Sequence, residues 1–460
     1  MSNTAFTTLD LPQAMLDNLN NLAYTSMTPI QALALPKALS GKDLIAQAKT
    51  GSGKTLTFGL PLLLALNPRD FSTQALVICP TRELCTQVAT ELRKLARFQA
   101  NIKIVILCGG QSIGPQIGSL EHGAHVVVGT PGRLADHLKK ATLDLGRVKH
   151  LVLDEADRML EMGFLDAVEG IIKHTPKSRQ TLFFSATFAK DILDLSTKFQ
   201  VEPEHLNVES QHDSSTIVQK FYNVSDIDKT AALDTALRAH QINLAVIFCN
   251  TKVTVNEVNE FLLAQGYVSC ALHGDMEQRD RDQTLIQFKH SSCQFLVATD
   301  VAARGLDIVD LPAVINYDLP RETDIYTHRI GRTGRAGKSG LALSLVAKRE
   351  RYKFEIVASL QRDLDAGLTD IGTLRAGNKS IVPPPMVTLC IGGGRKEKVR
   401  AGDILGALTG DAGINGSAVG KIDILDYVAF VAIERKSASK ALGRLINGKI
   451  KGRKFKVRTL

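Results

Sequence analysis

Ala48-Lys49-Thr50-Gly51-Ser52-Gly53-Lys54-Thr55 is the stretch on which the reading of this chain turns. It follows a short apolar run, Asp43-Leu44-Ile45-Ala46, and precedes a helix-like segment. A strand that ends in a glycine-rich turn and opens a helix aims several main-chain N–H groups at one point, where the positive end of the helix dipole adds to them. Such a point suits a phosphate. Lys54 is then expected to reach the β- and γ-phosphates of a nucleoside triphosphate, with Thr55 holding Mg²⁺. The usual pattern opens on glycine, whereas this chain has Ala48; the spacing of Gly51 and Gly53 is intact. A purely structural glycine loop is the alternative, and the strand before and helix after count against it. Taken alone, the stretch implies an NTPase and no more.

The chain has 460 residues, enough for two to four domains. With 44% hydrophobic and 22% charged residues and no low-complexity tract, its composition is that of a globular protein. The first basic residue is Lys37, so neither a secretory n-region nor an Arg-rich transit peptide is expected, and no apolar run approaches membrane-spanning length. None of the seven cysteines forms a C-x-x-C pair. Reduced thiols and a cytoplasmic protein are therefore expected. The net charge of +9 is local: residues 386–460 hold 15 basic against 6 acidic side chains, whereas residues 1–385 hold 41 of each. A basic terminal module on a neutral body points to an anionic polymer, nucleic acid above all, with simple solubility as the rival explanation.

Downstream of the glycine loop, β-branched apolar runs recur at Ala75–Cys79, Ile104–Cys108, Val126–Val128, Leu151–Leu153 and Leu182–Phe184. Helix-like segments separate most of them, as in a parallel sheet covered on both faces. Ligands of such sheets sit beyond the carboxyl ends of the strands. Polar motifs lie at those ends here: Pro80-Thr81-Arg82-Glu83-Leu84, Gly109-Gly110, Thr130-Pro131-Gly132-Arg133, Asp154-Glu155-Ala156-Asp157 and Ser185-Ala186-Thr187. Asp154, directly after a strand, stands where a carboxylate holds Mg²⁺, usually through water. Glu155 is then positioned to deprotonate the attacking water. Without the glycine loop upstream, two adjacent acids would read equally well as a helix cap. Gln31, in Thr28-Pro29-Ile30-Gln31, has an amide that can both donate to and accept from an adenine edge, although singly it reads as an ordinary helix residue.

Gln31, A-x-T-G-S-G-K-T, P-T-R-E-L, T-P-G-R, D-E-A-D and S-A-T follow one another in the order found in the DEAD-box RNA helicases, and the chain resembles that family. Ala23 stands where the family's Gln motif usually has glycine, and only a slightly altered turn is expected from it. The resemblance implies two RecA-like parallel-sheet domains in tandem, ATP and Mg²⁺ as ligands, RNA as partner and an RNA-stimulated ATPase. It implies nucleotide contacts from Phe6, Gln31, Ala48, Lys49, Thr50, Gly51, Ser52, Gly53, Lys54 and Thr55. Ser185, Thr187 and Asp157 are implied to couple the ATP site to domain closure. RNA is implied to touch Arg82, Gly110, Thr130, Arg133 and Thr299 through phosphate and 2′-OH, without reading sequence.

A second series of strand signals begins near residue 217: Val246–Cys249, Ser269–Leu272, Phe295–Ala298, Val314–Asn316 and Leu341–Leu345. It has no glycine loop of its own. Between the series, the polar segment Glu202–Ser215 with Pro203 reads as a hinge, centred on 209–216, so that the domains are set at 1–208 and 217–365. Thr299-Asp300, Arg304-Gly305-Leu306-Asp307 and His328-Arg329-Ile330-Gly331-Arg332-Thr333-Gly334-Arg335 resemble motifs of the same family. By that resemblance Arg332 and Arg335 are arginine fingers on the γ-phosphate and Asp307 contacts the ribose. Such fingers typically contribute ~10³–10⁵ in rate.

Glycines and Pro383-Pro384-Pro385 mark a linker over 366–385. Beyond it, strand Val387–Ile391, helix Val399–Thr409, strands Ile422–Leu425 and Val428–Ile433, helix Ser437–Ile446 and strand Lys454–Val457 give the order βαββαβ of an RRM-like domain over 386–460. Its stacking positions fall on Cys390, Val428 and Phe430, so only one aromatic remains there. The basic residues lie elsewhere: Arg395, Lys396 and Lys398 in one stretch, Lys451, Arg453 and Lys454 in another. RNA binding through loops and flanks is expected, with a protein-docking domain as the alternative. The tail resembles that of a bacterial branch of the family, which implies a 23S rRNA hairpin in pre-50S particles as the target. No oligomerisation signal stands out, and a monomer is expected. A DNA helicase on the same body, or an RNA clamp that acts by binding alone, are the rival functions.

Overall fold

The computed structural model describes residues 4–47, 52–185, 187–188, 190–207, 217–224, 228–303, 311–334, 339–360, 367–375, 381–410 and 413–460. Ala48, Lys49, Thr50, Gly51, Asp307, Arg335 and the hinge 209–216 lie outside the described residues. The chain divides near residue 211 into two compact units.

Seven strands build the sheet of the first unit: β1 (Leu44–Gln47), β2 (Ala75–Ile78), β3 (Ile104–Leu107), β4 (Val126–Gly129), β5 (His150–Asp154), β6 (Gln180–Ser185) and β7 (Glu204–Asn207). They pair in parallel in the order β3-β4-β2-β5-β6-β1-β7. Every residue of β2, β4 and β6 is buried, as expected where helices cover both faces. The helix Arg82–Leu95 shows how local sequence sets this up. Leu84, Cys85, Val88, Ala89, Leu92 and Leu95 make one buried stripe, Thr81 caps the start, Glu83 lies in the first turn, and Arg93 and Lys94 lie in the last. β7 shortens the polar stretch 202–215 read around the hinge, since residues 204–207 are an edge strand within the first domain. Leu206 is buried there, and Glu204 pairs with both Lys37 and Lys42.

The second unit holds two sheets. One comprises β8 (Ile217–Asn223), β9 (Ala245–Cys249), β10 (Ser269–Leu272), β11 (Phe295–Thr299), β12 (Ala313–Asn316), β13 (Gly340–Val346) and β14 (Leu368–Asp370). Its parallel order, β10-β11-β9-β12-β13-β8-β14, is the same permutation as in the first sheet. β14 corrects the expected linker: Leu368–Asp370 pair with β8, and Ile371 is buried in the core. Those apolar anchors outweigh the glycines around them.

The last domain has β15 (Met386–Ile391), β16 (Val419–Ile424), β17 (Ala429–Glu434) and β18 (Val457–Thr459) in the antiparallel order β16-β17-β15-β18, with helices Ala401–Thr409 and Ala438–Asn447 on one face. β16 starts earlier than expected. β18 starts later, because Ile450 and Arg453 exchange main-chain hydrogen bonds across a tight turn. Lys454 and Lys456 thus lead into β18 without belonging to it.

Candidate nucleotide and RNA sites

The carboxyl edge of the first sheet gathers every motif expected there that the structure describes. At its β5-β6-β1 end, Lys54 opens the helix Lys54–Leu64, and its ammonium lies 3.7 Å from Asp154 Oδ1, both side chains being buried. Thr55 follows, half-buried. Burial raises the Asp154 carboxyl to about 6, with the Glu155 charge adding to the shift and Lys54 opposing it. Asp154 Oδ1 accepts no hydrogen bond among the described residues. An oxygen stripped of water and left without a donor fits a divalent cation. No group of three His, Cys, Asp or Glu side chains that could hold a metal exists among the described residues; Thr55 and Asp154 are the side chains that would hold Mg²⁺, together with water and phosphate.

Glu155 adopts a left-handed backbone, φ 55° and ψ 53°, which costs energy in a residue with a side chain. It is 3% exposed, and Arg158 Nε lies 3.4 Å from its Oε2. Asp157 Oδ1 accepts the Arg158 N–H at 3.0 Å. Ser185 ends β6 one residue beyond Phe184, the partner of Asp154 in the sheet, and its Oγ accepts the Thr187 N–H at 3.3 Å.

Gln31 lies closer to the phosphate loop than sequence reading requires. Its Oε1 accepts the Thr28 N–H at 2.8 Å, and its Nε2 donates to the Gly53 carbonyl at 3.1 Å. Thr28 Oγ1 donates to the Ser52 carbonyl at 2.7 Å. One amide hydrogen and one lone pair of Gln31 are left for an adenine edge. Gly53 permits this fit, since a Cβ there would lie 2.3 Å from Gln31 Nε2. Phe6 is buried in the same core as Met27 and Ile30, so it anchors the N-terminal segment and offers little ring surface to a ligand. Ala23 holds the turn usually given to glycine by adopting φ 62°; the turn is kept and the strain accepted.

At the other end of the same edge, the ends of β3, β4 and β2 bring Gly110, Thr130 and Arg82 together. The Arg82 guanidinium lies against Gly110, where a Cβ would stand 2.7 Å from Nη1. Thr130 precedes the helix Pro131–Lys139, and Arg133 Nη2 donates to the Gln111 carbonyl at 2.8 Å. Arg82 Nε and Nη1 and Arg133 Nε and Nη1 are buried and make no hydrogen bond among the described residues. Two guanidinium groups with donors in hand, fixed to one glycine loop, suit a phosphodiester backbone.

In the second unit Arg329 is the residue that sequence reasoning missed. It is 2% exposed, and its fork grips Asp300 through Nε–Oδ1 at 2.6 Å and Nη2–Oδ2 at 2.7 Å. Nη1 donates to Asn316 Oδ1 and the Asp318 carbonyl, and Nη2 to Asn250 Oδ1. It thereby ties the ends of β9, β11 and β12, including Thr299, to the helix Thr323–Ile330 that leads to Arg332. Arg332 itself is 6% exposed. Arg329 stands three residues before Arg332, on the inward face of the helix Thr323–Ile330, a placement that the R-x-x-R spacing does not reveal.

In the last domain the face of the sheet away from its own helices is covered. Asp423, Phe430, Cys390 and Arg458 form one row across β16, β17, β15 and β18. The helix Gln278–Lys289 crosses that row. Lys289 and His290 meet Asp423 at 3.0 and 2.9 Å, Ile286 shares an apolar cluster with Cys390 and Phe430, and Gln283 accepts from Arg458 at 2.9 Å. Thr388 adds contacts to His290 and Ser292. The single surviving stacking position, Phe430, is 1% exposed and closed to a nucleobase.

The two basic stretches do converge. Lys451 Nζ donates to the Lys398 carbonyl at 3.1 Å, and the Gly392 N–H to the Lys456 carbonyl at 2.8 Å. Arg395, Lys396, Lys398, Arg453 and Lys454 therefore belong to two stretches that the fold brings side by side.

The chain matches the DEAD/DEAH box helicase family over residues 28–195, the helicase conserved C-terminal domain over 228–337 and the DbpA RNA binding domain over 388–459. It is similar to the ATP-dependent RNA helicase DbpA of Escherichia coli (strain K12), 50% identical over 463 residues that cover 99% of this chain and 100% of that protein. The ATP-dependent RNA helicase DbpA of Bacillus subtilis (strain 168) is 38% identical, with 98% of each chain covered. Among solved structures, Saccharomyces cerevisiae Dbp5 bound to RNA and ADP BeF3 aligns with a TM-score of 0.71 at 30% identity, over 80% of this chain and 96% of that one.

Proposed function

Because the chain belongs to the DEAD-box ATP-dependent RNA helicases, in the DbpA subfamily, we propose that it opens short RNA duplexes in assembling large ribosomal subunits, directed by its C-terminal domain to a 23S rRNA hairpin. It is an RNA helicase and ATPase. In our reading, the main-chain groups of 48–53 and the Lys54 ammonium hold the phosphates, while Gln31 and Asp307 serve the nucleoside and Phe6 acts only by anchoring the segment that carries Gln31. Thr55 and Asp154 hold Mg²⁺, whose charge, when it is bound, offsets that on the phosphoryl oxygens. Glu155 takes the proton of the attacking water, and Arg332 and Arg335 meet the charge that develops on the transferring group. Ser185, Thr187 and Asp157 relay the state of the nucleotide. Arg82, Gly110, Thr130, Arg133 and Thr299 grip the RNA backbone. The protein acts in the cytoplasm, as a monomer.

The observation that best supports this reading is the shared carboxyl edge of the first sheet. Nucleotide candidates occupy the ends of β5, β6 and β1, and backbone-gripping arginines occupy the adjoining ends of β3, β4 and β2. A DNA helicase on the same body would respond equally to matched DNA and RNA, since 2′-OH contacts would carry nothing. The targeting is tested by steady-state ATPase without RNA, with poly(A), and with fragments of the peptidyl-transferase region of 23S rRNA. The full chain is compared with a Lys451→Glu/Arg453→Glu/Lys454→Glu variant. Strong stimulation by one rRNA fragment, lost in the variant, is expected. Equal stimulation by all RNAs in both proteins would overturn the targeting.

A further inference from the structure

Residues 386–460 contain three aromatic side chains: Tyr427, Phe430 and Phe455. Phe430 is sealed beneath the helix Gln278–Lys289, as described. Phe455 packs against the domain's own core and against Gly393, where a Cβ would meet its ring at 2.2 Å. Tyr427 is 64% exposed. It sits at the tip of the β16–β17 hairpin, in a tight turn closed by the Leu425 N–H donating to the Val428 carbonyl at 2.8 Å. The flanking Leu425 and Val428 pack against the Cys390–Phe430 cluster, so the turn is anchored while its ring is left in water.

The tip is also fastened to the first basic stretch. The Arg395 N–H donates to the Leu425 carbonyl and the Lys396 N–H to the Asp426 carbonyl, both at 2.9 Å. Gly394 allows the approach, because a Cβ there would lie 2.3 Å from the Leu425 oxygen. The stretch is itself compact: the Gly394 N–H donates to Glu397 Oε2 at 2.7 Å and the Val399 N–H to the Gly394 carbonyl at 3.0 Å. Asp426 stands beside Arg395, its Oδ1 3.6 Å from Nε, and with Glu397 in the same stretch the three cations Arg395, Lys396 and Lys398 outnumber the acids by one. On the far side, Lys451 and Lys456 bind the same stretch as described. One fixed surface therefore runs from Tyr427 through 395–398 to 451–456.

An amphipathic ring held in water beside several fixed cations has the makings of a single-stranded nucleic-acid site: cations track phosphates, and the ring face takes a base. We propose that Tyr427 stacks an unpaired RNA base at one end of this basic surface, doing for the C-terminal domain what its buried sheet face cannot. The proposal rests on the reading that this domain binds rRNA. It adds that the RNA element recognised has a base free of pairing within reach of the lysines, as in a hairpin loop or bulge.

The test uses the full chain and a peptidyl-transferase-region fragment of 23S rRNA, with affinity measured over a range of salt concentrations. Tyr427→Ala, Tyr427→Phe and the triple Glu variant are compared, with Tyr352→Ala, on the helix Arg351–Leu360, as an exposed-aromatic control. Stacking of one base is worth about 5- to 150-fold in affinity. Tyr427→Ala should weaken binding by that amount without changing the salt slope, while Tyr427→Phe and Tyr352→Ala stay within about twofold of the parent. The triple variant should lose affinity and flatten the slope. Parental affinity in Tyr427→Ala with loss in the triple variant would overturn the proposal and leave rRNA binding standing. Equal losses in Tyr427→Phe and Tyr427→Ala would also overturn it, by pointing to the hydroxyl. Parental affinity in all variants would overturn both the proposal and the reading beneath it.

Discussion

Arg329 spends its whole guanidinium inside the second parallel-sheet domain, on two carboxylate oxygens, two side-chain amides and a main-chain carbonyl. Removing one partner of a buried charge pair leaves the other without compensation, at about 3–5 kcal/mol. We expect Arg329→Ala to lower unfolding stability of this domain by that order in urea titrations. Arg329→Lys should recover only part of it, since an ammonium cannot span Asp300 and reach Asn316 and Asn250 together. In the sequence Arg329 does not stand out from its neighbours, because spacing alone does not say which arginine of an R-x-x-R run faces inward. Glu155 is a contrasting case. Its chemical type and place after β5 made it a general-base candidate, yet nothing in the sequence announced its left-handed backbone. That conformation is imposed where strand β5 turns into the following helix.

At the scale of elements, the strands of both parallel sheets were legible because buried parallel strands read as unbroken apolar runs. Short edges were not. Glu204–Asn207 and Leu368–Asp370 carry one apolar anchor each, so their polar and glycine-rich surroundings dominated. The docking of the tail had a signal that went unused. β17 reads Ala-Phe-Val-Ala-Ile without a polar interruption, whereas a sheet open to water on one face alternates. Phe430 was the remnant of a stacking platform in sequence; in the fold it is a seat for Ile286.

The same interface carries a pH dependence. Burial raises the Asp423 carboxyl, but hydrogen bonds from His290 and Lys289 outweigh it and hold the group at about 2, below its ordinary 3.8. A group depressed by docking stabilises the docked state fully above its free value and loses that contribution as pH falls through the docked one. Docking should therefore weaken between about pH 4 and pH 2, read as rising amide exchange in Gln278–Lys289 and β17. Asp423→Asn should remove that dependence. Ile286→Asp should undock the tail at neutral pH, and unchanged exchange in that variant would show the apolar contact to be dispensable.

For the whole molecule, the adjoining nucleotide and RNA candidates on one sheet edge lead to a coupling expectation. If both ligands favour one closed arrangement, each must strengthen the other by the same factor, typically ~5–150-fold. RNA affinity with and without a non-hydrolysable ATP analogue, and analogue affinity with and without RNA, should give equal ratios. Unequal ratios would mean that the two cycles were not measured at equilibrium; a ratio of one would mean that the edge is shared without communication.

The docked sheet face also limits how far the tail can be treated as an interchangeable cartridge. The tail's mounting surface is written partly outside the tail, into Gln283, Ile286, Lys289 and His290, far upstream in the chain. A chimera that grafts residues 386–460 onto another helicase body would inherit the reader without its bracket. Transplanting specificity would mean moving two stretches of sequence about a hundred residues apart, and drift in either one constrains the other.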